Sequence, residues 1–311
     1  MPELILGLSD LEQKIKEGQA FLLMEPLFDD KRNVLMGTER ILTVRDMDKI
    51  RNRIPSAINK ALRVRTTIPH FIAEDLRIKW CAYLISLFEG GEVFKNLPRN
   101  TKDFVTKYLK ATLTENDYVL WKLSQLKAFS KKIFMHSVNT AFIALIGYYT
   151  YNNFNLQGML DGIMIDRIMT AGFLHDIGFM KTEARLAEKK RVEIPDTEMQ
   201  RYLQHPIMSF KIIESEKEKH ELDKIVYDMI LNHEEHIDGS GGPRGLGADG
   251  MEFPIRLLSL ANYFELLLTG DWSVRPRTVR EHMGKLRTSK TVFDEKIVEA
   301  LDVSFNHLSQ D

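Results

Sequence analysis

Nine histidines and one cysteine set the chemistry open to this chain of 311 residues. With Cys81 alone, neither a disulfide framework nor a cysteine zinc cluster can form. A metal site must therefore draw on His, Asp, Glu and Asn. Four histidines stand in unusual local company. His136 lies inside a long apolar helical pattern. His175 continues the stripe Ile168, Ala171, Gly172 and is followed at once by Asp176. His205 directly precedes Pro206, and His233 continues the stripe Leu222, Ile225, Val226, Met229, Ile230. A histidine at a helix N-terminus is disfavoured as a cation, and neutral imidazole is the form a metal takes. Taken singly, each reads as a hydrogen-bonded core residue. Burying four of them beside an aspartate is costly unless something pairs them. A divalent metal pairs them all at once, and a mixed imidazole and carboxylate set suits Fe, Mn or Zn better than Ca or Mg. His70, His220, His282 and His307 have no motif around them and read as surface or capping residues, and His236 reads as a solvated loop residue.

Two simpler motifs fail on spacing. His233-Glu234-Glu235-His236 places its second histidine one residue too early for a zincin helix, and the Gly-rich stretch 239–245 lacks the Lys-Ser/Thr pair of a phosphate-binding loop.

The elements that must position these residues are mostly helical. Phe134, Val138, Ala141, Phe142, Leu145 and Tyr149 fall on one helix face, and Pro254 opens a helix carrying Leu258, Ser259, Asn262 and Leu266. Residues 234–253 form one long irregular loop, and loops of that length in a helical domain tend to be functional. Before residue 100 the pattern is mixed. Ser9 or Asp10 caps a short helix, and Phe21–Met24 and Val34–Met36 read as the arms of a β-hairpin around the turn formers 28–33. Thr43 caps a charged helix running to about Arg53, and a further helix covers 68–90. Gly90 to Asn100 is the best boundary. The expected organisation is a small α/β unit over residues 1–100, sensory or regulatory in role, and an all-α metal-binding domain over 101–311.

Composition narrows the classes. Hydrophobic residues at 44% and charged residues at 28% are those of a soluble globular protein. Lys and Arg (43) balance Asp and Glu (44), so the basic excess of a DNA- or RNA-gripping protein is missing. The N-terminus does not read as a signal peptide, and Ala141–Tyr149 is too short to cross a bilayer. A cytoplasmic protein without membrane insertion is expected.

Taken in order, His136-Ser137, Leu174-His175-Asp176-Ile177-Gly178, His205-Pro206, His233-Glu234-Glu235, Asp238 to Leu246, Leu258 to Asn262 and Arg275-Pro276 resemble the HD-GYP family of the HD phosphohydrolase superfamily. The resemblance covers roughly 130–280. It implies a mainly α fold, with a helical-bundle metal domain preceded here by the small α/β unit. It implies two divalent metal ions, Fe first and Mn as the alternative. It implies cleavage of cyclic di-GMP or a related cyclic dinucleotide. By position the ligands fall on His136, His175, Asp176, His205, His233, Glu234 and Asn262, with Asp176 as the catalytic, metal-bridging residue. Two metals about 3.5–4 Å apart can activate one hydroxide and neutralise a phosphodiester. Arg244, Arg275 and Lys181 are the substrate-contact candidates.

Several positions depart from the family. Its second motif histidine is Glu234, its late-helix aspartate is Asn262, and its namesake tyrosine is Gly242. The lysine after His-Asp-Ile-Gly is Phe179, with Lys181 two positions later. Lys132 stands where some members carry a glutamate for a third metal, so two metals are expected rather than three. The first functional expectation is a dinuclear phosphodiesterase of weak or altered activity. The second is a degraded signalling module that binds metal and a nucleotide or protein partner, with a diguanylate cyclase domain as the partner type. A general HD nucleotide phosphohydrolase ranks third, because simple HD enzymes lack the 238–246 loop.

Overall fold

The computed structural model describes residues 3–16, 20–29, 32–38, 42, 44–54, 61–67, 74–91, 94–95, 97–155, 160–270, 279–289 and 291–305. Two compact units emerge, Met1–Phe71 with Glu216–Glu221, and Ile72–Ser215 with Leu222–Asp311. The division thus falls near residue 71 and not at 100. The reason is helix α3 (Glu74–Gly90), whose aromatics pack into the helical unit: the Phe88 ring lies 5.1 Å from Phe142 and the Trp80 ring 6.0 Å from Phe134.

The first unit holds strands β1 (Glu3–Gly7), β2 (Ala20–Leu23), β3 (Leu27–Phe28), β4 (Val34–Met36) and β5 (Ala61–Thr67), with helices α1 (Leu8–Lys16) and α2 (Val44–Arg53). Its main sheet is antiparallel in the order β1-β5-β2. In β5, Leu62 and Val64 point inward and alternate with Arg63 and Arg65, the period of a half-buried strand. They join Leu8, Leu11, Phe21, Leu23, Met47 and Ile50 in one core. The expected hairpin between Phe21–Met24 and Val34–Met36 does not form. The seven-residue β5 gives β2 a ladder from Ala20↔Thr67 to Leu23↔Val64, while the turn formers close β4 onto Leu27–Phe28 instead. Thr43, the expected cap of α2, lies outside the described residues, as does the start of the helix expected from residue 68.

The second unit is helical throughout: α4 (Arg99–Glu115), α5 (Asp117–Phe129), α6 (Lys131–Asn155), α7 (Gly162–Leu174), α8 (Ala184–Glu188), α9 (Asp196–Tyr202), α10 (His205–Ser215), α11 (Lys224–Leu231), α12 (Phe253–Leu268), α13 (Val279–Thr288) and α14 (Glu295–Phe305). Its axis is α6, which packs against α7, α12 and α14. The Ser130 hydroxyl accepts the Ile133 N–H at 3.1 Å and so caps its first turn. Beyond the predicted face, Ile143, Ala144 and Ile146 are buried too, which is how a helix behaves when neighbours surround it. Gly172 lets α7 cross α6 closely, because a Cβ there would fall 2.7 Å from the Ala141 Cα. Among the described residues, no helix is long and apolar enough to cross a membrane.

Candidate metal centre

Three helix ends meet at the centre of this unit, and each delivers a histidine. A helix leaves its last carbonyls without intrahelical partners. His175 follows α7 and its Nδ1 lies 2.8 Å from the Gly172 carbonyl. His205 follows α9, with Nδ1 at 2.8 Å from the Tyr202 carbonyl. His233 follows α11, with Nδ1 at 2.7 Å from the Ile230 carbonyl. A carbonyl only accepts, so each Nδ1 carries the hydrogen and each Nε2 of a neutral ring carries a bare lone pair. His136 comes from α6, and its Nδ1 lies 2.5 Å from the Glu265 carboxylate of α12. The other Glu265 oxygen accepts the Asn139 amide at 3.0 Å.

The four Nε2 atoms converge on Asp176. His136 and His175 approach each other to 3.2 Å, and His205 and His233 to 3.0 Å. Asp176 Oδ2 lies 3.4 Å from His136 and 3.5 Å from His175, and Oδ1 lies 3.2 Å from His205 and 3.5 Å from His233. One carboxylate thus straddles two imidazole pairs. The group is buried, and burial holds His175 down to about 3, so it stays neutral. Asp176 Oδ1 has no hydrogen-bond donor. Lone pairs facing one another around a buried carboxylate are unfavourable unless a cation sits among them. The donor set fits divalent ions in two triads, His136–His175–Asp176 and Asp176–His205–His233, sharing the aspartate.

The turn after Asp176 is held against α10. Ser209 Oγ donates to the His175 carbonyl at 2.5 Å and accepts the Gly178 N–H at 2.8 Å. A Cβ at Gly178 would lie 2.1 Å from the His205 carbonyl, so glycine is what permits this approach. Phe179 is buried and stacks on the His205 ring, 4.4 Å between centroids and 12° between planes.

Glu234 and Asn262 sit beside the triads, not in them. Glu234 Oε1 is 3.9 Å from His205 Nε2 and accepts the Asn262 amide at 3.2 Å. Its Oε2 accepts from Arg191 at 2.6 Å. Burial alone would raise this carboxyl, but the Arg191 guanidinium beside it outweighs that and holds it at about 2.

Two cavities adjoin the cluster and share Glu234, Asn262 and Leu266. The smaller, about 150 Å³, reaches His136, Asp176 and His205. The larger, about 530 Å³, opens over His233 and is walled by Arg191, Gln204, Gly242 and Tyr263. His236 lines it as well, half-buried with its Nδ1 3.0 Å from the Ser240 hydroxyl, and so is not the solvated loop residue expected. Arg244 and Lys181 are exposed and line neither cavity. Arg275, with His70 and His307, lies outside the described residues. His220 is buried but caps the short 3-10 turn Lys217–Lys219, in keeping with the capping reading; His282 is buried, contrary to the surface reading, and shares α13 with buried Met283 and Leu286.

The long loop owes its shape to Glu235. This fully buried carboxylate accepts the backbone N–H groups of Arg244 (2.5 Å), Gly245 (3.1 Å) and Leu246 (2.8 Å). Ile237 N–H bonds to the Val292 carbonyl at 3.0 Å, tying the loop to the segment before α14.

Residues 150–297 match the HD domain family. The match is consistent with the HD-GYP branch, and His136 lies ahead of the matched segment. The chain is 26% identical over 136 residues to the cyclic di-GMP phosphodiesterase PdeB of Borreliella burgdorferi, covering 43% of this chain and 32% of that protein. It is 24% identical over 139 residues to the cyclic di-GMP phosphodiesterase of Thermotoga maritima, covering 44% and 37%. The chain therefore spans about a third of the length of these relatives. It is also similar to the solved structure of Bd1817, an HDG"Y"P protein from Bdellovibrio bacteriovorus, at a TM-score of 0.48 and 15% identity over 97% of this chain and 99% of that one.

Sequence reading missed four residues of this site. Glu265 lies one turn after Asn262 on the same helix, a spacing that could have flagged it. Arg191 was hidden in the charged run Lys189-Lys190-Arg191. Ser209 has no distinguishing neighbours, and Glu235, although part of His233-Glu234-Glu235, was given no role.

Proposed function

We propose that this chain is a metal-dependent phosphodiesterase whose substrate is cyclic di-GMP or a related cyclic dinucleotide. The observation that carries it is the set of four tautomer-fixed Nε2 atoms around one shared carboxylate. His136, His175 and Asp176 would hold one ion, and Asp176, His205 and His233 the other, with Glu234 and Asn262 beside the second. Fe is the first candidate and Mn the alternative. Ions bound there supply Lewis acidity toward the phosphate and a water of lowered pKa. Asp176 shares its two oxygens between the sites. Glu265 orients His136, and three backbone carbonyls orient the others. The larger cavity has room for a nucleotide-sized ligand, and Tyr263 offers it an aromatic face. Arg275 remains a candidate phosphate contact, and a cytoplasmic location belongs to the same reading. The names of the relatives support the substrate class.

The test is hydrolysis of cyclic di-GMP by protein purified without oxygen and loaded with Fe(II) or Mn(II). Linear product is expected from the wild type and none from Asp176→Ala. No product from wild-type protein carrying two ions per chain would overturn the reading. That result would favour a binding module, with a diguanylate cyclase domain as partner type. The packing of Phe179 on His205 and the exposure of Lys181 speak for that second reading.

A further inference from the structure

We propose that Arg191 is the residue that grips the substrate phosphate, and that Glu234 positions it for that task. The inference rests on the phosphodiesterase reading and adds the phosphate contact that Arg244 and Lys181 do not provide. Among the described residues that line the 530 Å³ cavity, Arg191 is the one Arg or Lys. Its backbone starts a short 3-10 turn, Arg191–Glu193, fixed by Glu193 accepting the Lys190 N–H at 3.2 Å. Its side chain is 15% exposed, and the guanidinium lies 5.5 Å from the Tyr202 ring centre. Glu234 fixes the guanidinium from the cluster side, through Oε2 at 2.6 Å, while its Oε1 faces His205 and Asn262. One carboxylate therefore touches both the ligand cluster and the cation beside it.

The chemistry favours phosphate as the ligand. A guanidinium presents its N–H donors in a planar fork that matches two phosphate oxygens. A phosphodiester bound at the metal cluster brings its negative charge into the same cavity, where dielectric screening is weaker than in water. A role confined to neutralising Glu234 would need positive charge only, and lysine would serve as well. Gripping phosphate needs the fork.

The experiment titrates inorganic phosphate into metal-loaded protein by calorimetry, with metal content and melting temperature measured on the same samples. Charge-assisted hydrogen bonds are worth about 10- to 100-fold in affinity. Arg191→Met should weaken phosphate binding by about that factor. Arg191→Lys, which keeps the charge on Glu234, should keep metal content and melting temperature but still lose about tenfold. Phosphate affinity unchanged in Arg191→Lys, or absent in the wild type, overturns the inference. Cyclic di-GMP hydrolysis by the same wild-type sample separates the two failures. Product with unchanged phosphate affinity in the variants sinks Arg191 alone, and missing product with Arg191-dependent phosphate binding sinks the phosphodiesterase alone.

Discussion

Glu265 shows how much of this site is decided one residue away from its ligands. It is 1% exposed, it holds the His136 Nδ1–H, and Asn139 holds it in turn. Such carboxylate–histidine pairs fix ring orientation and raise basicity, and losing them costs about 10- to 100-fold in metal affinity. Glu265→Ala should therefore weaken one of the two ions by that factor and leave the His205–His233 ion close to wild type. Titration of apo-protein with Mn(II) would resolve two sites of split affinity; two sites of unchanged affinity would refute the assignment. His175, Asp176, His205 and His233 were legible because their signals are local: an apolar stripe runs onto His175 and onto His233, Asp176 follows His175 at once, and Pro206 follows His205. Glu265 was missed although it stands one turn after Asn262 on the same helix, because its partner His136 is 129 residues away.

At the scale of elements, the shared carboxylate depends on how tightly the turn after α7 sits on α10. Ser209 makes both hydrogen bonds of that clamp and is fully buried. Ser209→Ala leaves the Gly178 N–H without its acceptor, which costs about 1–3 kcal/mol. Urea unfolding should show a lower midpoint at unchanged slope. An unchanged midpoint would mean that the turn does not need the clamp. The helices themselves were readable from apolar periodicity, since a helix pattern is complete within one stretch of chain. The strands were readable only as apolar runs. Which run pairs with which is settled by long-range register, so β2 went to β5 rather than to β4.

For the whole molecule, the buried histidine cluster links stability to metal and to pH. Ligand binding to the native state alone adds about 4 kcal/mol at a thousandfold excess over Kd. A chelator should therefore lower the melting temperature of metal-loaded protein. The sign with pH follows from His175, which is held at about 3 in the fold and titrates near 6.5 when unfolded. Below about 6.5 the unfolded chain binds the extra proton and the fold does not, so stability present above that pH is lost as pH falls toward 3. Scanning calorimetry of chelated protein at stepped pH should trace that decline, and a flat profile would contradict it. Composition pointed to a folded globular chain, and apolar periodicity to its helices. The boundary between units fell elsewhere, because a Gly- and Asn-rich stretch marks a loop, and only the packing of α3 shows which side it belongs to.

Glu235 carries one more consequence. The amides of residues 244–246 already have a carboxylate partner from their own chain, so that stretch of main chain has no N–H left with which to hold an anionic guest. Recognition falls to side chains such as Arg191, Tyr263 and whatever stands at position 242, where a Cβ would meet open space. Preferences written in main-chain geometry change only when a loop is rebuilt, whereas preferences written in side chains change one codon at a time. This architecture is therefore evolvable in what it accepts while staying conservative in how it folds, and a graft of new specificity onto it would start at those three positions.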